Sequence, residues 1–90
     1  MPSDYSTTDL GLATALVTAG FTLADVSKEE GQRRYSQRMI ARFHFDESPE
    51  VRAAVTAFDD GTLQVSAREF WKNNKTLKSR IYDDILKSER

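Results

Sequence analysis

The sequence predicts an α+β fold, namely a ferredoxin-like (split β-α-β) antiparallel sheet with an added C-terminal helix. Three observations predict it. Strand-like and helix-like segments follow one another in the order β-α-β-β-α-β-α, and two of the strand-like segments adjoin across a polar turn that contains glycine. The third observation is the length of the chain, since 90 residues are enough for one small domain, and the absence of cysteine means that this domain has no disulfide bond. Residues 1–90 are therefore expected to form a single α+β domain.

The first two elements are a short strand and a helix. The segment "DYST" at 4–7 is expected to be a short edge strand. Ser6 and Asp9 have the spacing of a capping box, which predicts a helix that begins just after them. Leucine, alanine and valine side chains then recur at helical spacing, and Gly20 follows where a left-handed C-terminal residue belongs.

The next two elements are strands that are expected to pair as a hairpin. Residues 21–27 alternate apolar and polar side chains, and 28–32 form a polar turn in which Gly31 is free to take a positive φ. The stretch "RRYSQRMIARFHF" at 33–45 is then a long strand. The parity that is expected to face the helices contains Tyr35, Met39, Ala41, Phe43 and Phe45. The outward parity carries Arg34, Arg38, Arg42 and the single histidine, His44.

The following segment, "DESPEVRAAVTAFDDG", is predicted to be a second helix. Ser48 is suited to the N-cap, and Pro49 to the first helical position, where its missing N–H costs nothing. The "DDG" at 59–61 ends this helix and turns the chain. Residues 62–66 alternate again, which predicts the fourth strand.

The last element is predicted to be a long helix with several distinct stripes. Ser66 and Glu69 form a capping box, so the helix is expected to run from about Ala67 to about Ser88. A basic stripe at helical spacing consists of Arg68, Lys72, Lys75 and Lys78. An apolar stripe suited to the core consists of Phe70, Leu77, Ile81 and Ile85. A second, offset stripe consists of Trp71, Tyr82 and Leu86.

The composition argues against catalysis and against bound cofactors. One histidine and no cysteine do not make a metal centre, and no glycine pattern resembles a phosphate-binding loop. No base is placed in the sequence to activate a serine or threonine, so no catalytic residue, metal ligand or cofactor is predicted and the chain is not expected to be an enzyme. The polar N-terminus is unlike a signal peptide, and no apolar run is long enough to cross a bilayer. We expect a cytoplasmic protein without a membrane partner.

The distribution of charge favours a binding protein. The net charge is only -1, from 13 basic and 14 acidic side chains, but the basic ones are concentrated in two segments. One hypothesis is therefore contact with nucleic-acid backbone through a basic sheet face and a basic helix stripe. Its candidate residues are Arg34, Arg38, Arg42, Arg68, Lys72, Lys75 and Lys78. Asn73 and Asn74 are expected to add hydrogen bonds, whereas the outward sheet face lacks the aromatic side chains on which bases stack.

Two alternatives remain open. The basic stripes are also what ordinary solvated faces look like, with cross-strand acids such as Asp25 or Glu29 neutralising the arginines. The other alternative is a protein–protein interaction or homodimerisation module that uses the apolar C-terminal helix. Its candidate anchors are Trp71, Tyr82 and Leu86.

One resemblance covers most of the chain, from Tyr5 to about Asp84. The segments "YSTTDLGLATALVTAGF", "FHFDESPEV", "FDDGTLQVSAREF" and "LKSRIYDD" resemble a family of small uncharacterised domains in phages and uncultured bacteria. The resemblance implies no activity and transfers no functional residue. It does imply a setting in which small nucleic-acid-binding and host-modulating proteins are common, with the host cytoplasm as the location of a phage-encoded member.

Overall fold

The computed structural model describes residues 4–30 and 39–83. Their elements are β1 (Asp4–Thr7), α1 (Leu10–Thr18), β2 (Leu23–Glu30), β3 (Met39–Asp46), α2 (Pro49–Asp60) and α3 (Ala67–Ile81). These residues form a small α+β structure with a three-stranded antiparallel sheet and three helices. The polar turn predicted at 28–32 is wrong over residues 28–30, because β2 continues through them and pairs with β3. The rest of that turn, with Gly31, and the candidate residues Arg34, Arg38 and Leu86 lie outside the described residues.

The sheet has the strand order β1-β3-β2, so β3 is its central strand. Phe43 and Phe45 of β3 are 1% and 0% exposed, which confirms the parity predicted for this part of the strand. Their register partners on the same face include Tyr5 of β1, opposite Phe45, and Val26 of β2, opposite Phe43. Burial, and to a smaller extent the nearby carboxylates of Asp59 and Asp9, raise the pKa of Tyr5 above its ordinary value.

An irregularity in β2 sets which of its side chains face the core. The register shifts between Leu23, which lies opposite Phe45, and Asp25, which lies opposite His44. One extra residue at this point reverses the alternation, as a β-bulge does. Leu23 and Val26 therefore both pack against the core although three positions separate them.

The predicted fourth strand at 62–66 is wrong, because these described residues lie in no strand. The reason is local: the backbone N–H groups of Thr62 and Leu63 both donate to the carbonyl of Ala57, at 2.8 and 3.0 Å. Those donors close the end of α2 and are not available to a neighbouring strand. A ferredoxin-like arrangement needs that strand, so it is not confirmed.

The helix starts follow the predicted caps in two cases of three. Ser48 and Ser66 accept hydrogen bonds from the backbone N–H groups of Val51 and Glu69, which confirms both as N-caps. The capping box of Ser6 is wrong, because Ser6 lies in β1. Asp9 itself is the N-cap of α1, since its carboxylate accepts from the backbone N–H of Leu12.

Helices α2 and α3 both pack against α1, which lies at the centre of the core. Five consecutive residues of α1 are buried, from Leu12 to Leu16. The main cluster of buried residues joins α1 to the sheet, α2 and α3, and consists of Leu12, Ala13, Leu16, Phe43, Phe45, Ala54 and Leu77. The helices therefore cover the phenylalanine face of β3, and the arginine and histidine side chains of β3 belong to the opposite face.

Candidate functional site

Helix α3 separates a buried side from an exposed side that carries most of the candidate residues. On the buried side, Leu77 is 4% exposed, and Ile81 is partly buried against the core. On the opposite side lie six exposed residues, which we call the α3 outer face: Arg68, Trp71, Lys72, Lys75, Lys78 and Tyr82. The structure therefore brings together all of the predicted helix cations and two of the three predicted apolar anchors.

Two hydrogen bonds fix the orientation of α3 against α1. Asn73 Nδ2 donates to Thr18 Oγ1 at 3.1 Å, and Asn74 Nδ2 donates to Thr14 Oγ1 at 3.2 Å. Thr14 is fully buried, and its hydroxyl donates in turn to the carbonyl of Leu10 at 2.7 Å. The expectation that Asn73 and Asn74 add hydrogen bonds to a ligand is therefore replaced by a role in positioning the outer face.

Aromatic and basic side chains alternate along the α3 outer face. Among the residues that the structure describes, Trp71 and Tyr82 are the exposed large apolar side chains, at 61% and 62%. Residues 71, 75, 78 and 82 are spaced by four, three and four, which places them on one side of a helix. Lys75 Nζ lies 5.2 Å from the centroid of the Trp71 ring, within the range of a cation–π interaction. The two stripes that the sequence presents as rivals thus form one surface.

The α3 outer face has a positive local charge. Together with Glu69, four of its residues line a shallow groove: Arg68, Trp71, Lys72 and Lys75. Glu69 is the single carboxylate among these lining residues, so cations outnumber it along the groove. A chain with a net charge of -1 therefore presents a cationic surface on this helix.

The outer face of the sheet has a different character. Arg42 is half-buried, and its guanidinium donates to Ser6 Oγ at 3.2 Å. Exposed carboxylates of Asp4 and Asp25 flank the same face, on the two neighbouring strands. Arg42 is thus already engaged by the sheet, and its surroundings carry both signs of charge.

His44 joins the three strands across this face. Its Nδ1 lies 2.7 Å from Asp4 Oδ2 on β1, and its Nε2 lies 2.7 Å from Ser27 Oγ on β2. Because a carboxylate only accepts, Nδ1 carries the proton, and Nε2 of a neutral ring accepts from the Ser27 hydroxyl. A histidine base therefore does contact a serine, which the sequence reasoning missed. The sequence offered one signal, which was the position of His44 on the outward face of its strand. It could not identify Asp4 and Ser27 as the partners of His44, because those contacts depend on the register of both neighbouring strands.

Two other features, a metal site and a membrane-spanning helix, are not found among the residues that the structure describes. Residues 4–30 and 39–83 contain no group of three or more potential ligands that could hold a metal ion. No helix among them combines the length and the apolarity needed to cross a membrane. On α2, Arg52 pairs with Glu47 at 2.7 Å, and this hydrogen bond raises the pKa of Arg52. This ion pair joins α2 to the residue just before its N-cap and is separate from the α3 outer face.

Comparison with curated proteins and with solved structures gives no significant match. A family model does match the chain, over residues 3–83, and its description is a domain of unknown function, DUF5659. The match covers all of the described residues, and therefore the three strands and the three helices that they form. It confirms the resemblance to an uncharacterised domain family, and the chain belongs to the DUF5659 family.

Proposed function

We propose that this protein is a non-catalytic binding protein that contacts nucleic-acid backbone through the α3 outer face. The observation that carries the proposal is the exposure of Arg68, Lys72, Lys75 and Lys78 on the side of α3 that faces away from the core. The phosphates of a nucleic-acid backbone form a row of negative charges that attracts several aligned cations at once. The resemblance to a family of small phage and bacterial domains is compatible with this function and equally with association with a protein. We propose the cytoplasm as the place of action, which is the host cytoplasm for a phage-encoded member.

The dimensions of α3 suit a polyanion. At about 1.5 Å of rise per residue, the four cations extend over roughly 15 Å of helix. Lysine and arginine side chains are long enough to adjust to phosphates along such a span. The hydrogen bonds from Asn73 and Asn74 to α1 hold the helix in place, so binding need not order it first.

The sheet arginines take second place in this proposal. Arg42 donates to Ser6 and is half-buried, so reaching a phosphate means leaving that hydrogen bond. Arg34 and Arg38 lie outside the described residues and keep their place only as sequence-based candidates. The helix stripe alone therefore has to account for the main phosphate interactions.

A salt titration of oligonucleotide binding tests the proposal. Replacing Lys72, Lys75 and Lys78 by alanine removes three cations. The plot of log affinity against log salt should then flatten by roughly 2 units for a single strand, at about 0.7 for each phosphate that is no longer neutralised. The control is Arg52→Ala, which removes one exposed cation, paired with Glu47, on a different helix. It should leave the slope unchanged.

Two results would count against the proposal. An equal slope for the wild type and the triple alanine variant would remove these lysines from any phosphate contact. Absence of binding by the wild type at low salt would remove the function altogether.

The alternative is association with a protein or with a second copy of the chain. It is favoured by the exposure of Trp71 and Tyr82, since large aromatic side chains are typical interface anchors. The third anchor, Leu86, lies outside the described residues. Sedimentation of the wild type over a wide concentration range tests the homodimer. If it dimerises, Tyr82→Glu should return it to a monomer, and a monomer at every concentration would refute the homodimer.

A further inference from the structure

Trp71 has no structural role in the described core that explains its position. Its side chain is 61% exposed on a helix whose buried side is already filled by Leu77 and partly buried neighbours. The ring lies among cations, with Lys75 Nζ 5.2 Å from its centroid. A flat apolar ring among positive charges fits a ligand that has both a flat ring and a negative charge.

We propose that Trp71 stacks on an unpaired base of a single-stranded nucleic acid whose phosphates are held by the neighbouring lysines. This inference rests on the proposed function and adds the strandedness of the ligand. Nucleotides supply both required parts, because each has an aromatic base and an anionic phosphate. Lys72 and Lys75 line the same groove as Trp71, and Lys75 lies one helical turn beyond it, so both are placed to hold phosphates close to a stacked base.

Stacking distinguishes this ligand from duplex nucleic acid and from other polyanions. In a duplex the faces of the bases are covered by their neighbours, so Trp71 has no free face to contact without unstacking. An inorganic polyanion has no ring at all. Every base has a π-face, so the stacking interaction is expected to carry little sequence preference.

The fluorescence of the wild type reports directly on this interaction. The sequence contains 1 tryptophan, so the signal belongs to Trp71 alone. At low salt, a single-stranded oligothymidylate should quench the emission and bind more tightly than a duplex of the same length. Inorganic polyphosphate should bind through the lysines with much weaker quenching, because it offers no base.

Trp71→Leu separates stacking from charge, and because the variants at position 71 contain no tryptophan, their affinities are measured from the anisotropy of a labelled oligonucleotide, with the wild type measured in the same way. A base stacked on an aromatic side chain contributes roughly 1–3 kcal/mol, so the variant should lose affinity for the single strand by about 5-fold to 150-fold. Its salt slope should remain that of the wild type, since no cation is removed. Trp71→Phe keeps a smaller ring and should recover part of the affinity, and circular dichroism checks that both variants are folded.

The outcomes separate this inference from the proposed function. If the wild type binds but Trp71→Leu binds equally well, or if duplex binds as tightly as single strand, stacking is refuted and backbone contact stands. If no nucleic acid binds at low salt, both are refuted. If Trp71→Leu instead abolishes self-association of a protein that binds no oligonucleotide, Trp71 belongs to a protein interface and both proposals fail.

Discussion

Truncation of Phe43 to alanine probes the packing of the sheet against the helices. Phe43 is 1% exposed at the centre of the middle strand, so the substitution removes a fully buried ring and leaves a cavity. Phenylalanine-to-alanine changes at such sites cost about 3–5 kcal/mol. A domain of 90 residues has a total stability of about 5–13 kcal/mol, so the loss is a large share of the total.

The expected shift in melting temperature is correspondingly large. At about 4–8 °C per kcal/mol for a domain of this size, Phe43→Ala should melt at least about 12 °C below the wild type. Thermal and urea unfolding followed by far-UV circular dichroism measures the effect. Tryptophan fluorescence is a poor probe here, because Trp71 is already exposed in the folded state.

The matched control for this prediction is Asp46→Ala. Asp46 lies on the same strand but is exposed, so its truncation should change the free energy of unfolding by no more than about 0.5 kcal/mol. If Phe43→Ala and Asp46→Ala both melt within a few degrees of the wild type, then the side of β3 that packs on the helices is not the phenylalanine side, and the description of the core fails.

Three further predictions concern a cap, a part-buried hydrogen bond and a titrating group. Ser66→Ala should destabilise the protein by about 1 kcal/mol in urea unfolding, whereas Ser79→Ala, on the exposed side of the same helix, should not. Asn74→Ala should cost about 1–2 kcal/mol, and clearly less in a Thr14→Val background, where the acceptor is already gone; equal costs in both would deny the hydrogen bond. Burial raises the pKa of Tyr5 above 10.0, so the folded state holds this proton more tightly than the unfolded state. The resulting stability is full below about pH 10 and is lost as the pH rises through the raised pKa, so the decline measured above pH 10 should be shallower for Tyr5→Phe.

The features that were predictable from the sequence depend on residues that lie close to one another along the chain. Ser48 and Ser66 were recognisable as caps because capping uses a side chain and an N–H only three residues apart. Phe43 and Phe45 were recognisable as core residues because strand alternation fixes their shared side. The basic stripe of α3 was recognisable for the same reason, from helical spacing alone.

The strand predicted at 62–66 failed because alternation describes burial and not pairing. Leu63 does pack against the core, as its apolar position indicated. A strand also needs a partner, and the N–H groups of Thr62 and Leu63 are used by the carbonyl of Ala57. The alternation of apolar and polar residues over a five-residue segment does not show whether that segment pairs as a strand or bonds to the end of the preceding helix.

The contacts between strands and between helices could not be predicted from the sequence for a related reason. The side chain of His44 forms hydrogen bonds with Ser27 and Asp4, which precede it by 17 and 40 positions in the chain. The contact with Ser27 also depends on the irregularity near Asp25, which puts Ser27 on the same face as His44. The hydrogen bonds of Asn73 and Asn74 to α1 likewise depend on how two helices dock, which local spacing does not specify.

The central position of α1 has a consequence for the order of events during synthesis. A helix of nine residues is too short to persist alone in water, so α1 depends on the surfaces around it. Those surfaces include β3 and α3, and its hydrogen bond to Asn74 spans 60 positions of chain. The ribosome therefore makes α1 well before α3, and we expect α1 to remain unstable until Leu77 has emerged. Once the core has formed around α1, the backbone amide hydrogens of this helix should exchange with solvent more slowly than those of the other described elements. The reason is that the elements around α1 cannot open without disturbing it.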